Sequence, residues 1–102
     1  MQSPRMPKAY RFKSKILVYP GMSAWRFLVL PAKDGQEIKK KYGRLAKGWG
    51  SLPVSVTIGE TIWKTSIFPD KKSGTYLLPL KAQIRKMEDI LDDDMVSFII
   101  TF

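Results

Sequence analysis

Cysteine and histidine are both absent from this chain of 102 residues. Without cysteine there is no disulfide and no thiol chemistry. Without histidine the commonest general base and the commonest metal ligand are missing, and every histidine-dependent triad with them. Carboxylates are scarce, 9 Asp and Glu against 18 Lys and Arg. Long apolar runs are missing too. The longest, "FLVL" and "FII", fall far short of the ~18–20 residues a membrane helix needs. The opening "MQSPRMPKAYRFKSK" is basic but has no apolar core of a signal peptide, so the expected location is cytoplasmic and off the membrane.

What is present has a globular balance, 44% hydrophobic and 26% charged residues. The length suits one small core, and the expected organisation is a flexible lead at 1–8 followed by a single domain at 9–102. The net charge of +9 favours anionic partners, nucleic acid among them.

Periodicity supplies the elements. "AYRFKSKILVY" alternates, with Tyr10, Phe12, Ser14, Ile16 and Val18 on one face and Arg11, Lys13, Lys15 and Leu17 on the other; this is the pattern of a half-buried strand. "PGMS" at 20–23 marks a turn, and "AWRFLVL" a second strand stopped by Pro31. The period then becomes helical over "KDGQEIKKKYGRL", with Ile38, Tyr42 and Leu45 on one stripe and Gly43 as terminator. A loop "AKGWGS" precedes the strand "LPVSVTI". Gly59-Glu60 then forms a tight hairpin turn to "TIWKTSIF". "PDKKSG" turns into "TYLLPL", a short helix "KAQIRKMEDIL" places Ile84, Met87 and Leu91 inward, and "DMVSFIITF" closes the chain. On this reading Phe12, Trp25, Phe27, Phe68 and Phe98 are core residues and Trp63 faces inward. The order β-β-α-β-β-β-α-β, with short strands and few helices, predicts a mainly β fold, a small barrel.

The chain also repeats itself. "FLVLPAK" (27–33) matches "TYLLPLK" (75–81), and the strands that follow the two helices begin alike, "VSVTI" (54–58) and "VSFII" (96–100). Two copies of a strand–helix–strand unit, closed on each other with pseudo-twofold symmetry, account for this. The first copy is longer by the segment that holds Gly48-Trp49-Gly50.

The segments "GWGSLPV", "TIGETIWKTSIFP" and "SGTYLLPLKAQIRK" resemble the domain of unknown function 1905 family, and the likeness runs from about Ile16 to Thr101. The resemblance implies a six-stranded double-split β-barrel capped by two short helices, with no assigned activity. It also implies an accessory role beside another domain, since some relatives carry a helical domain associated with bacteriocin protection. Where members usually have Gly-Asp in the last turn this chain has Asp92-Asp93-Asp94, which predicts an altered turn. The half-unit "LLPLKAQIRKMEDILDDDMVSFIITF" is also similar to the AbrB-like transition-state regulators, in which two chains supply the barrel that duplication would build here from one.

No catalytic constellation emerges. Ser51, Ser66 and Ser73 lack an activating histidine, and Asp92–Asp94 lack the alternating oxygens of a calcium loop. The chain is therefore expected to be a monomeric binding module, not an enzyme, with no cofactor and no metal. Its ligand is expected to be an anion such as nucleic acid. The basic surface is expected at Lys39, Lys40, Lys41 and Arg44 on one cap and Lys71, Lys72, Lys81, Arg85 and Lys86 on the opposite one. The Gly-Ser loops raise a second option, a small-molecule pocket under Gly48-Trp49-Gly50 lined by Lys47, Ser51 and Tyr76. Trp49, flanked by glycines, is otherwise expected to fold back as a lid over the barrel end.

Overall fold

The described residues of this computed structural model are 9–19 and 25–102; the expected lead at 1–8 and turn at 20–23 lie outside them. Six strands and two helices follow in the expected order: β1 (Ala9–Val18), β2 (Arg26–Val29), α1 (Ala32–Tyr42), β3 (Leu52–Ile58), β4 (Thr61–Asp70), β5 (Thr75–Pro79), α2 (Ala82–Met87) and β6 (Met95–Thr101). The strands close an antiparallel barrel in the order β1-β2-β5-β4-β3-β6.

Two long strands are each shared between sheets. β1 pairs with β6 over residues 9–15 and with β2 over 16–18. β4 pairs with β3 over 61–67 and with β5 over 68–70. The barrel is therefore a large sheet, β1-β6-β3-β4, and a small sheet, β1-β2-β5-β4, joined along the two split strands. Exchanging β1 with β4, β2 with β5 and β3 with β6 leaves the ring of neighbours unchanged, as a pseudo-twofold axis requires. Side-chain bonds repeat as well. Tyr10 Oη donates to Glu37 of α1 at 2.9 Å and Thr61 Oγ1 donates to Glu88, just past α2, at 2.6 Å, each pair 27 residues apart.

The core follows from alternation. Tyr10, Phe12 and Ile16 of β1, Val54, Val56 and Ile58 of β3, and Val96, Phe98 and Ile100 of β6 point inward and are buried together, while Arg11, Lys13 and Lys15 stay outside. Val18, expected inside, is 40% exposed, because it is the last residue of β1 and pairs with Arg26, past the buried pair Ile16 and Leu28. Trp63 is half-buried against the core.

Each barrel end is closed by a helix. Pro31 leads into α1 with φ −56°, which its ring fixes in any case. Ile38 is 0% exposed beneath α1, and Tyr42 stacks on Phe102 at 3.9 Å. Gly35 lies so close to β5 that a methyl group there would collide with the Thr75 side chain. α2 is shorter than expected. It stops at Met87 and buries only Ile84; Met87 and Leu91 are 59% and 71% exposed, which corrects their assignment to the core. Asp89 reverses the chain with φ +52°, so no further helical turn forms. The hairpin at Gly59 behaves as expected, with φ +56°, and a side chain there would have to displace the Glu88 carboxylate. In the last turn, Asp93 takes φ +74°, the left-handed conformation that a glycine adopts more easily. Asp94 accepts from the Leu91 amide at 2.8 Å.

Candidate functional site

The chain crosses from the small sheet to the large one twice, and the two crossings bear opposite charge. The first runs through α1 and the Gly48–Gly50 loop. It carries Lys39, Lys40, Lys41, Arg44 and Lys47, with no acidic residue between Glu37 and Glu60. The second carries Glu88, Asp89, Asp92, Asp93 and Asp94.

At the second crossing the charges are used internally. Arg26 and Asp92 form a two-pronged pair at 2.7 and 3.1 Å. The hydrogen bond from Arg26 holds the Asp92 carboxyl below its ordinary range. Lys15 stands 3.9 Å from Asp93, and Arg85 donates to the Leu80 carbonyl at 3.1 Å. At the first crossing Glu37 receives Tyr10 and lies 3.9 Å from Lys41. Burial, with the bond to Glu37, keeps the Tyr10 hydroxyl protonated far above its usual range. Among the described residues, no carboxylate lies within 4.0 Å of Lys39, Lys40, Arg44, Lys47, Lys71 or Lys72.

A groove of about 380 Å³ lies between α1 and the β4–β5 turn, lined by Gly35, Gln36, Lys39, Pro69, Asp70, Lys71, Gly74, Thr75 and Tyr76. Lys39 and Lys71, expected on opposite caps, thus line one groove, because the turn after β4 folds against α1. Lys81, Arg85 and Lys86 remain with α2. The carboxylate inside the groove is occupied: Asp70 accepts from the Ser73 amide and hydroxyl at 3.0 and 2.7 Å.

The Gly48–Gly50 loop abuts this groove through Pro69, which leaves Gly50 only 3.1 Å for an added methyl group. Three backbone bonds stiffen it: Lys47 N–H to Ser51 O at 2.8 Å, Gly50 N–H to Lys47 O at 3.0 Å and Ser51 N–H to Gly48 O at 3.3 Å. The Ser51 hydroxyl adds a fourth, to Gly48 O at 3.1 Å. On this braced loop Trp49 is 94% exposed with φ +66°, so the expected lid is absent. A tryptophan in left-handed backbone costs about 1–2 kcal/mol, and no packing against the barrel offsets it. Tyr76 is buried in the core, where desolvation raises its hydroxyl pKa. The two rings therefore face different surroundings, and the groove that Tyr76 lines includes none of residues 47–51.

Aromatic residues outside the barrel escape the sequence reading. Phe27 is buried, yet it lies outside the continuous core. It sits on the exterior of the small sheet, sandwiched by Trp25 (5.8 Å, interplanar 15°) and Tyr19 (5.6 Å, edge-on). Trp25 and Phe68, expected in the core, are 49% and 39% exposed. A signal exists in the chain: "FLV" and "LLP" do not alternate, which is how a strand reads when both of its faces are apolar.

Among the described residues there is no group of His, Cys, Asp and Glu that could hold a metal ion, and no helix long and apolar enough to cross a membrane. No curated protein matches the chain. A family model does, that of a domain of unknown function, number 1905, over residues 12–100; it spans both crossings and reaches all six strands, and the chain belongs to this family.

Proposed function

We propose that the protein is a non-catalytic, cytoplasmic module that binds single-stranded nucleic acid at the barrel end covered by α1. Phosphates would sit against Lys39 and Lys71 in the groove, with Lys47 and Arg44 along the approach. A base would stack on Trp49. One observation carries the reading: a bare indole stands on a braced loop that abuts, through Pro69 of β4, a groove whose Lys39 and Lys71 have no carboxylate within 4.0 Å among the described residues. Base–aromatic stacking is worth about 1–3 kcal/mol per base and tolerates any sequence. Positive charge supplies the remainder and makes binding salt-dependent. A closed small-molecule pocket beneath the loop finds no support in the placement of Trp49 and Tyr76.

The test is fluorescence anisotropy of a labelled oligothymidylate of about 20 nucleotides. Binding is expected at low salt and should weaken steeply between about 50 and 200 mM. No binding at the low end of that range would sink the proposal.

A further inference from the structure

The exterior of the small sheet offers a second aromatic surface. Strand pairing aligns Leu17 with Phe27 and Phe27 with Pro79 across β1, β2 and β5. Core residues Leu28 and Leu78 occupy the alternate positions, so this row points away from the barrel. At its edge Trp25 lies nearly parallel on Phe27, one ring face backed by that neighbour and the residue 49% exposed. A ring held this way needs no reordering before a second flat group stacks on it.

Cations flank the ridge on both sides. A groove of about 220 Å³ beside Trp25 is lined by Arg26, Pro79 and Lys81, Arg26 being already paired with Asp92. Another, of about 200 Å³, lies beside Tyr19 and is lined by Leu17, Val29, Asp70, Lys72 and Ser73. Asp70 is again occupied by Ser73, and neither lysine has a carboxylate within 4.0 Å among the described residues. An aromatic ridge with Lys81 beside Trp25 and Lys72 beside Tyr19 complements a ligand that alternates flat groups with negative charge. A purely apolar partner would leave both lysines unanswered.

We infer that Trp25 is a second base-stacking site, with Lys72 and Lys81 receiving the flanking phosphates, so that one single strand contacts both the α1 end and the outside of the small sheet. This rests on the nucleic-acid reading above, but on different residues.

The chain has three tryptophans, and their indole N–H resonances report each position separately. The full-length protein, labelled with ¹⁵N, is titrated with the same oligothymidylate. Trp25→Phe, Trp49→Phe and Trp63→Phe variants assign the signals. Shifts at Trp25 and Trp49 but not at half-buried Trp63 are the expected result, and Trp25→Ala should weaken binding about tenfold. A shift at Trp49 alone overturns this inference and leaves the α1-end site standing. A shift at Trp25 alone supports the stacking site on this surface but overturns the α1-end site and, with it, a strand shared between the two. No shift at either ring overturns both. The wild-type spectrum decides the matter even if Trp25→Ala folds poorly.

Discussion

Two crossings built on one plan have diverged in opposite directions. Through α1 the chain gains a braced loop, an exposed tryptophan and a run of lysines. Through α2 it takes a short acidic turn whose carboxylates face Arg26, Lys15 and a backbone amide. The strands that flank the crossings keep equivalent neighbours, and Glu37 and Glu88 keep equivalent hydrogen bonds. What the two halves share is therefore the barrel, and what differs is the surface at each end. A protein that needed only a closed barrel could have kept the shorter crossing twice. The longer one holds a tryptophan in left-handed backbone with nothing in the barrel to compensate, and such strain tends to persist where a ligand uses it.

The largest expected effect separates the two caps by stability. Ile38, fully buried under α1, should cost about 4 kcal/mol on substitution by alanine, and Ile84 under the shorter α2 about 2 kcal/mol, by urea denaturation. Equal costs would mean that the caps are energetically alike. Next comes charge. Lys39→Glu with Lys71→Glu should weaken oligothymidylate binding about a hundredfold, whereas Lys86→Glu on α2 should change it little. At Trp49 stability and binding should part company. Trp49→Gly relieves the left-handed backbone and should raise stability by about 0.5–1 kcal/mol while weakening binding about tenfold. A drop in stability would mean that the ring packs on the barrel after all.

The smallest effect concerns acid. The Asp92 carboxyl is held below its ordinary range by Arg26. Its contribution is therefore present above the unfolded carboxylate value near pH 4 and is lost as pH falls through the lower folded value. Asp92→Asn should lower stability slightly at neutral pH, converge with the wild type as pH falls through that range and so flatten that part of the acid unfolding curve; the effect is small because the Asp92 carboxyl is half-exposed.

Much of the barrel is legible in the sequence because alternation and punctuation are local. Tyr10, Phe12 and Ile16, the Pro31 stop and the Gly59 turn are each dictated by neighbours in the chain, and the echo of "FLVLP" in "TYLLP" matches the pseudo-twofold arrangement of the strands. What escapes depends on the third dimension. Val18 falls at the end of β1, past the packed core, and the apolar exterior of the small sheet draws Trp25 and Phe68 away from the core. The fold of the β4–β5 turn onto α1 joins Lys71 to Lys39. Trp49 is singled out by its glycines, but the sequence favours a lid. Large apolar residues usually bury, and only the braced loop and its backbone angle reverse that expectation.

The central claim is that the α1 end holds the anion. It is tested most directly by the salt dependence of oligothymidylate affinity in two double variants of equal charge change, Lys39→Gln with Lys71→Gln and Lys64→Gln with Lys86→Gln. On a single strand, every phosphate that a lysine no longer neutralises should reduce the log–log slope by about 0.7. The first double variant should therefore have a slope shallower by about 1.4, and the second should retain the wild-type slope. Equal reductions in both would show that net charge alone attracts the strand and would contradict a site at the α1 end.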